Sequence, residues 1–176
     1  MITPVLETER VFLYPPKISY AESIFHNWAT DSEVTKYLRW NHHESIDITI
    51  GWLKYEVENI ADDNSYQWVF VNKENNEMFG SGGLSYNKEH NRFEIGFAIM
   101  KTYWNQGFTT ESAHAMIDFA VKELKQTRFF ARHAKENTAS GIVLKKIGFI
   151  YLKDGTYSSF DGKRAFESKE YVLIVK

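Results

Sequence analysis

Apolar residues along the chain recur at two spacings, every second residue and every third or fourth, and their alternation predicts an α/β protein. From Arg10 to Tyr14, Val11 and Leu13 alternate with Phe12 and Tyr14, a first strand that Pro15-Pro16 ends. Between Tyr20 and Thr30 the spacing becomes helical through Ile24, Phe25 and Trp28. Asp31 or Ser32 then caps a second short helix holding Val34, Tyr37 and Leu38, and Ile46 to Ile60 is a third helical stretch. Gln67 to Val71 and Met78 to Leu84 read as a hairpin around Asn75-Asn76, and a polar turn from Tyr86 to Asn91 leads to a strand at Phe93. Thr110 to Lys125 carries one apolar stripe, Ala113, Ile117, Ala120 and Leu124, with Glu111 complementing the helix dipole. Phe129 to His133 follows as a strand; a helix opening at Asn137 ends at Gly148, Phe149 starts another strand, and Asp161-Gly162 marks the last hairpin turn. No repeat, low-complexity tract or linker interrupts this series, so one domain is expected over residues 1–176.

Composition narrows the function classes. A hydrophobic fraction of 43% over 176 residues suffices for one substantial core. Lysine and arginine total 21 against 23 acidic residues, a formal charge of −2, so no overall basic field argues for nucleic acid. Cysteine is absent, which removes disulfides, thiolate metal sites and a cysteine nucleophile together. Met1 to Arg10 has no basic start and apolar run, and no stretch could span a bilayer, so the expectation is a soluble cytoplasmic protein without a membrane partner. His42-His43 lacks the i,i+4 spacing and partner ligands of a zinc site, and no metal is implied.

The most informative stretch runs from Phe93 to Glu111: an apolar strand, a glycine-containing loop and a helix opening with Thr109-Thr110. Free backbone N–H groups at a helix start, reinforced by the positive end of the macrodipole, suit a pyrophosphate without basic side chains. Gly107 sits where a side chain would obstruct the phosphate or the turn. Thr110 either adds a hydroxyl hydrogen bond to phosphate or simply caps the helix. A phosphorylated cofactor is expected here. The Gly-x-x-x-x-Gly-Lys-Ser/Thr pattern of nucleoside-triphosphate enzymes does not occur.

A second block, Glu136-Asn137-Thr138-Ala139-Ser140-Gly141-Ile142-Val143-Leu144-Lys145-Lys146-Ile147-Gly148-Phe149, is a helix that begins on a polar amide and ends on glycine and phenylalanine. Together the two blocks resemble the GNAT superfamily of acyl-CoA-dependent N-acyltransferases. The segment Asn27-Trp28-Ala29-Thr30-Asp31-Ser32-Glu33-Val34-Thr35-Lys36-Tyr37-Leu38 is similar to the N-terminal helical region of its ribosomal-protein-acetylating, Rim-type branch. The likeness spans nearly the whole chain. It implies a GNAT-like α/β fold: a mixed, largely antiparallel sheet with a central splayed parallel strand pair and flanking helices.

The resemblance also implies roles. Acetyl-CoA is the co-substrate, its pyrophosphate over Asn105, Gln106, Gly107, Phe108, Thr109 and Thr110 with Trp104 also against the cofactor, and its pantetheine against the backbone of Phe97, Ala98 and Ile99 and the side chain of Asn137. Trp104 and Thr109 stand where the family pattern has a basic or amide residue and a glycine or alanine. Glu94 matches a glutamate that serves several members as general base, usually through water; a solvent-facing strand carboxylate is the other reading. Leu144 replaces the tyrosine that protonates the departing thiolate in many members, and Ser140, one helical turn after Asn137, takes that place in the Asn-x-x-Ser branch. Trp28, Tyr37 and Trp40 wall the acceptor pocket. The implied partners are acetyl-CoA and a primary amine, a protein or peptide N-terminus or a small amine, with a homodimer left open. A non-catalytic acyl-CoA-binding or sensing module carries the same cofactor motif and stands as the alternative.

Overall fold

The computed structural model describes residues 1–176. Eight strands form one sheet: β1 (Leu6–Glu7), β2 (Val11–Tyr14), β3 (Ser65–Asn72), β4 (Met78–Asn87), β5 (Arg92–Ile99), β6 (Arg128–Ala134), β7 (Ile150–Ser158) and β8 (Ala165–Ile174), in the order β1-β2-β3-β4-β5-β6-β8-β7. All neighbouring pairs are antiparallel except β5 with β6. Five helices flank the sheet: α1 (Ala21–Ile24), α2 (Ser32–Thr35), α3 (Ile46–Glu58), α4 (Phe108–Lys122) and α5 (Thr138–Ile147). A parallel pair needs a crossover, and α4 supplies it between β5 and β6. This is the mixed, largely antiparallel α/β architecture expected from the sequence.

Each face of the sheet has its own core. Tyr66, Trp68 and Phe70 of β3, with Phe93 and Ile95 of β5, pack against the α4 residues Ala113, Met116, Ile117 and Ala120. Phe119 of α4 sits edge-on to both Tyr66 and Trp68, at 5.3 and 5.4 Å between ring centroids. On the opposite face a smaller group, Ala21, Ile24, Trp28 and Leu53 with Val69 and Ala98, joins the N-terminal helices to the strands.

Element edges depart from the sequence pattern for local reasons. The helix expected from Tyr20 to Thr30 is α1 extended by a π-helical turn, Phe25–Ala29, where the Thr30 hydroxyl donates to the Phe25 carbonyl and Asn27 Nδ2 to the Met78 carbonyl. Helix α4 opens at Phe108 and ends at Lys122, which leaves Leu124 past its end. There Lys125 takes a left-handed conformation and the Gln126 N–H closes onto the Ala120 carbonyl, a glycine-type ending made without glycine. Asp31 caps α2 by accepting from the Glu33 N–H, and Asn76 and Asn91 adopt the left-handed conformation that their turns require.

Strand β1 is too short to leave a periodic signal, yet it is fixed firmly. Glu111, in the first turn of α4, accepts from the Thr8 hydroxyl, the Arg10 N–H and Arg10 Nε at 2.6, 2.8 and 2.7 Å. Burial opposes its ionisation, but these bonds hold its carboxyl below the usual glutamate range. A depressed native-state value contributes stability above the unfolded-chain value, about 4.3, and that contribution disappears as pH falls through the native one. Glu111→Gln is expected to cost about 1–3 kcal/mol at neutral pH. It should also flatten part of the loss of melting temperature on acidification; thermal denaturation across pH 3 to 7 measures both.

Candidate active site

The site is built around the way β5 and β6 part. Their parallel register holds only Phe93 with Phe129 and Glu94 with Phe130; beyond this the strands have no paired residues. On its other edge β5 stays paired with β4 through Ile99, and the Met100 N–H donates to the Phe79 carbonyl. Antiparallel partners alternate between bonded and non-bonded pairs, so Gly96 and Ala98 turn their polar backbone groups to β4 while Phe97 and Ile99 turn theirs to the gap. The Ile99 carbonyl accepts from the Trp104 indole at 2.7 Å. Of the three strand residues expected to offer backbone to a cofactor, the structure thus opens Phe97 and Ile99. Ala98 is spent on the sheet.

Below the gap lies the loop expected to hold pyrophosphate. None of the N–H groups from Asn105 to Thr110 donates to a protein acceptor, and the first helical bond of α4 is Glu111 N–H to the Gly107 carbonyl. Asn105 and Gly107 both have left-handed backbones, with φ of 59° and 81°, which turns consecutive amides into one concave surface. Arg10 braces it from behind: Nη1 donates to the Gln106 carbonyl at 3.1 Å, and the guanidinium lies 4.1 Å over the Phe108 ring. The Phe108 side chain is therefore core, and Thr109 and Thr110 contribute backbone amides.

On the far side of β5 the sheet faces a cavity of about 630 Å³. Small residues make its floor: Ser81, Gly83 and Ser85 of β4 beside Ala98, Gly96 and Glu94 of β5. Trp28, Trp40 and Trp52 wall it, with His43, Tyr55 and Phe160. Burial, with His42 adding to it, holds the His43 imidazole below its usual value, so it is neutral at pH 7, and its Nδ1 lies 2.7 Å from Thr49 Oγ1. Trp28 and Trp40 are both on this wall. Tyr37 is not: its ring packs edge-on to Phe166, and its carbonyl accepts from the Tyr157 hydroxyl at 2.6 Å. Burial pushes that phenol up to about 12, so it remains a donor. Arg164 fixes the same segment through the carbonyls of Thr35, Lys36, Leu38 and Trp40. The backbone course that brings Trp40 in turns Tyr37 away.

Glu94 lines the cavity but is not free. Its Oε1 accepts from Arg132 Nε at 2.9 Å, and its Oε2 from Arg132 Nη2 and Asn87 Nδ2 at 3.2 and 2.7 Å. A carboxylate has about four acceptor positions, so one, on Oε1, remains. At the start of α5, Asn137 caps the helix by accepting from the Ser140 N–H, while its Nδ2 donates to Ser140 Oγ at 3.0 Å. The Ser140 hydroxyl donates to no protein acceptor. Leu144 is buried in the main core.

Sequence reasoning missed Glu56 of α3, which lines the cavity and forms no ion pair. Burial pushes its carboxyl up, opposed by the Trp52 indole donating to Oε1 at 3.1 Å. The signal was its place one turn after Trp52 and three residues after buried Leu53, on the inward side of the helix. Arg132 and Arg164 left no comparable local trace.

Residues 10–150 match the family model described as an acetyltransferase (GNAT) domain. The chain belongs to the GNAT acetyltransferase family. It is 29% identical over 147 residues to the uncharacterized N-acetyltransferase YoaA of Bacillus subtilis (strain 168), covering 83% of this chain and 82% of that one. Among solved structures, a GNAT-family acetyltransferase from Bacillus anthracis superposes with a TM-score of 0.81 at 22% identity, over 97% of this chain and 98% of that one. RimL, the ribosomal L7/L12 alpha-N-protein acetyltransferase solved with coenzyme A, does so at 0.83 and 16% identity over 99% and 98%. At these identities the two structures show the fold. The GNAT chain is thus an acetyl-CoA-dependent acyltransferase, and Rim-type enzymes are among its structural neighbours.

The GNAT cavity floor makes a structural prediction. A Cβ at Gly96 would meet nothing within 4 Å, whereas one at Gly83 would collide with Gln67 Oε1 and the Tyr66 carbonyl. Gly96→Val is expected to keep the wild-type melting temperature. Gly83→Val should lose about 1–3 kcal/mol in urea denaturation.

Proposed function

We propose that this enzyme moves an acetyl group from acetyl-CoA to a primary amine by direct attack in a ternary complex, the amine being a protein or peptide N-terminus or a small molecule. The observation that carries this is the position of one strand: β5 offers unpaired backbone at Phe97 and at the Ile99 N–H between an amide-lined loop and a walled cavity. Family membership and the coenzyme A named with RimL support acetyl-CoA as donor. Its pyrophosphate lies on the Asn105 to Thr110 amides and its pantetheine runs past Phe97 toward Asn137, so the thioester meets the cavity at Gly96 and Ala98.

The amine enters from the cavity and attacks the thioester carbonyl. The C–N bond forms, the oxygen takes up negative charge against the Ile99 N–H, and collapse breaks the C–S bond. Glu94 receives the ammonium proton through water at its remaining Oε1 position, with Arg132 keeping the carboxylate in place. Ser140, its oxygen held by Asn137 Nδ2, offers its hydroxyl to the departing sulfur. Thiolate is a fair leaving group, with a reference pKa of about 8.5 for cysteine, so this assistance is modest.

Release of CoA thiol across a panel of primary amines tests the reading, and binding of acetyl-CoA without turnover would overturn it. Gly107→Val imposes a left-handed backbone on a branched residue, about 1–2 kcal/mol of strain, and crowds Arg10. It is expected to weaken acetyl-CoA at least about tenfold by calorimetry while the circular dichroism of the fold persists. Ser140→Ala should lower kcat by about tenfold with less change in the KM for acetyl-CoA, because its bond strengthens as thiolate charge develops. An unaltered kcat under conditions where chemistry limits the rate would remove Ser140 from the mechanism.

A further inference from the structure

Two carboxylates enter the cavity, and only one of them is paired. Glu94 is held by Arg132 and Asn87, while Glu56 has the single indole bond from Trp52. The other charged side chain on the lining, Arg39, is turned elsewhere: its guanidinium lies 4.6 Å over Phe160, and its Nε donates to the Ser158 carbonyl. His43 faces the same space as a neutral ring. A half-buried carboxylate without a cation, bonded to Trp52 in a cavity that Trp40 also lines, is costly to leave as it is and matches a ligand cation in both charge and ring faces.

That cation is not the reacting nitrogen. The attacking nitrogen belongs at β5, where Glu94 takes its proton through water. Glu56 hangs instead from α3, the helix that runs through a short turn into Ser65 at the start of β3. Ser65, which lines the cavity with Glu56, pairs with Ser85, and Ser85 with Glu94, so the cavity extends at least two strand spacings, roughly 10 Å, from β5.

We propose that Glu56 anchors a second cationic group of the acceptor, so that the preferred substrate is a small amine with two positive centres, one acetylated at β5 and one held beneath the tryptophans. This rests on the acetyl-transfer reading above and adds the substrate class to it. The aromatic walls exclude water from the carboxylate and leave its charge to the ligand.

The test compares linear α,ω-diamines of increasing length with n-alkylamines of the same length, measured by CoA release and, without turnover, by quenching of tryptophan fluorescence on amine binding. Wild-type kcat/KM is expected to favour the diamine by about tenfold to a hundredfold at one optimal length. Glu56→Gln should collapse that ratio toward unity, mainly through KM, and remove the same preference from the fluorescence titration. Glu56→Asp, which keeps the charge on a shorter arm, should restore part of the preference and move the optimum to a longer diamine. Turnover with a diamine preference that survives Glu56→Gln, or with no preference in the wild type, overturns the anchor alone; a peptide N-terminus used in preference to every diamine does the same. Acetyl-CoA binding with no turnover of any amine overturns the transfer reading beneath it.

Discussion

The separation of β5 from β6 governs the rest of this molecule. A parallel pair in the middle of a sheet ordinarily continues as far as its strands do, because each unpaired rung leaves backbone donors and acceptors without partners. Here pairing stops after Glu94 and Phe130, and Arg132, two residues further along β6 on the face of Phe130, reaches back to Glu94 across the opening. The ion pair is a strut at the fork. Its side chains are only 13% and 23% exposed, so removing one partner would strand the other in a poorly hydrated place; the pair is better understood as fixing the width of the gap than as a large net source of stability. The same carboxylate therefore belongs to the sheet and to the cavity at once.

Once the fork is set, the remaining pieces follow from what β5 touches. One edge carries open backbone at Phe97 and the Ile99 N–H, one face carries the small-residue floor, and the strand's end feeds directly into the amide-lined loop through a short turn over Lys101–Tyr103. Segments far apart in the chain meet at one wall of the cavity. Arg164 and Tyr157 of the β7–β8 hairpin hold the carbonyls of residues 35–40, the Phe160 N–H donates to the Arg39 carbonyl, and Phe160 itself joins the wall. The opposite end of the site is secured in the same way, with Glu111 and Arg10 tying β1 and β2 to the loop at Gly107. Both halves of the site thus rest on charged groups whose bonds run to backbone.

What could be read from the sequence divides along this line. The strand–loop–helix around Gly107, the cap at Asn137, the left-handed end at Gly148 and the turn at Asp161-Gly162 are local, each decided within a few residues by glycine, amide or hydroxyl chemistry, and each lies where its pattern put it. Strand β1, with two residues, had no period to show. Glu111 with Arg10, Glu94 with Arg132 and Arg164 with the segment around Lys36 are separated by 101, 38 and 128 residues, so nothing in the neighbouring sequence distinguishes them from ordinary surface charges. Tyr37 shows the same limit from the other side. An aromatic residue near Trp28 and Trp40 fits a pocket wall by composition, but the bonds made to its own carbonyl decide which way the ring goes.

The leucine at position 144 shows how the chemistry can rest on this frame. A phenol there would be a proton donor reaching from the middle of α5; Leu144 is instead packed in the core, and the polar groups of that helix are gathered at its first turn in Asn137 and Ser140. On the proposed reading the departing sulfur meets a hydroxyl whose oxygen already accepts from Asn137 Nδ2, so the position of that oxygen is set before the bond breaks. A side chain held in advance loses less rotamer freedom in the transition state, and a thiolate needs less help than an amide or alkoxide leaving group. Proton removal from the amine is then the harder half of the reaction. On the same reading Glu94, with one acceptor position left beside Arg132, would couple that step to the strut across the β5–β6 gap. Loss of the Arg132 guanidinium would accordingly disturb the base and the width of the gap together, whereas loss of Asn87 would free a second acceptor position on Oε2 and leave the strut standing.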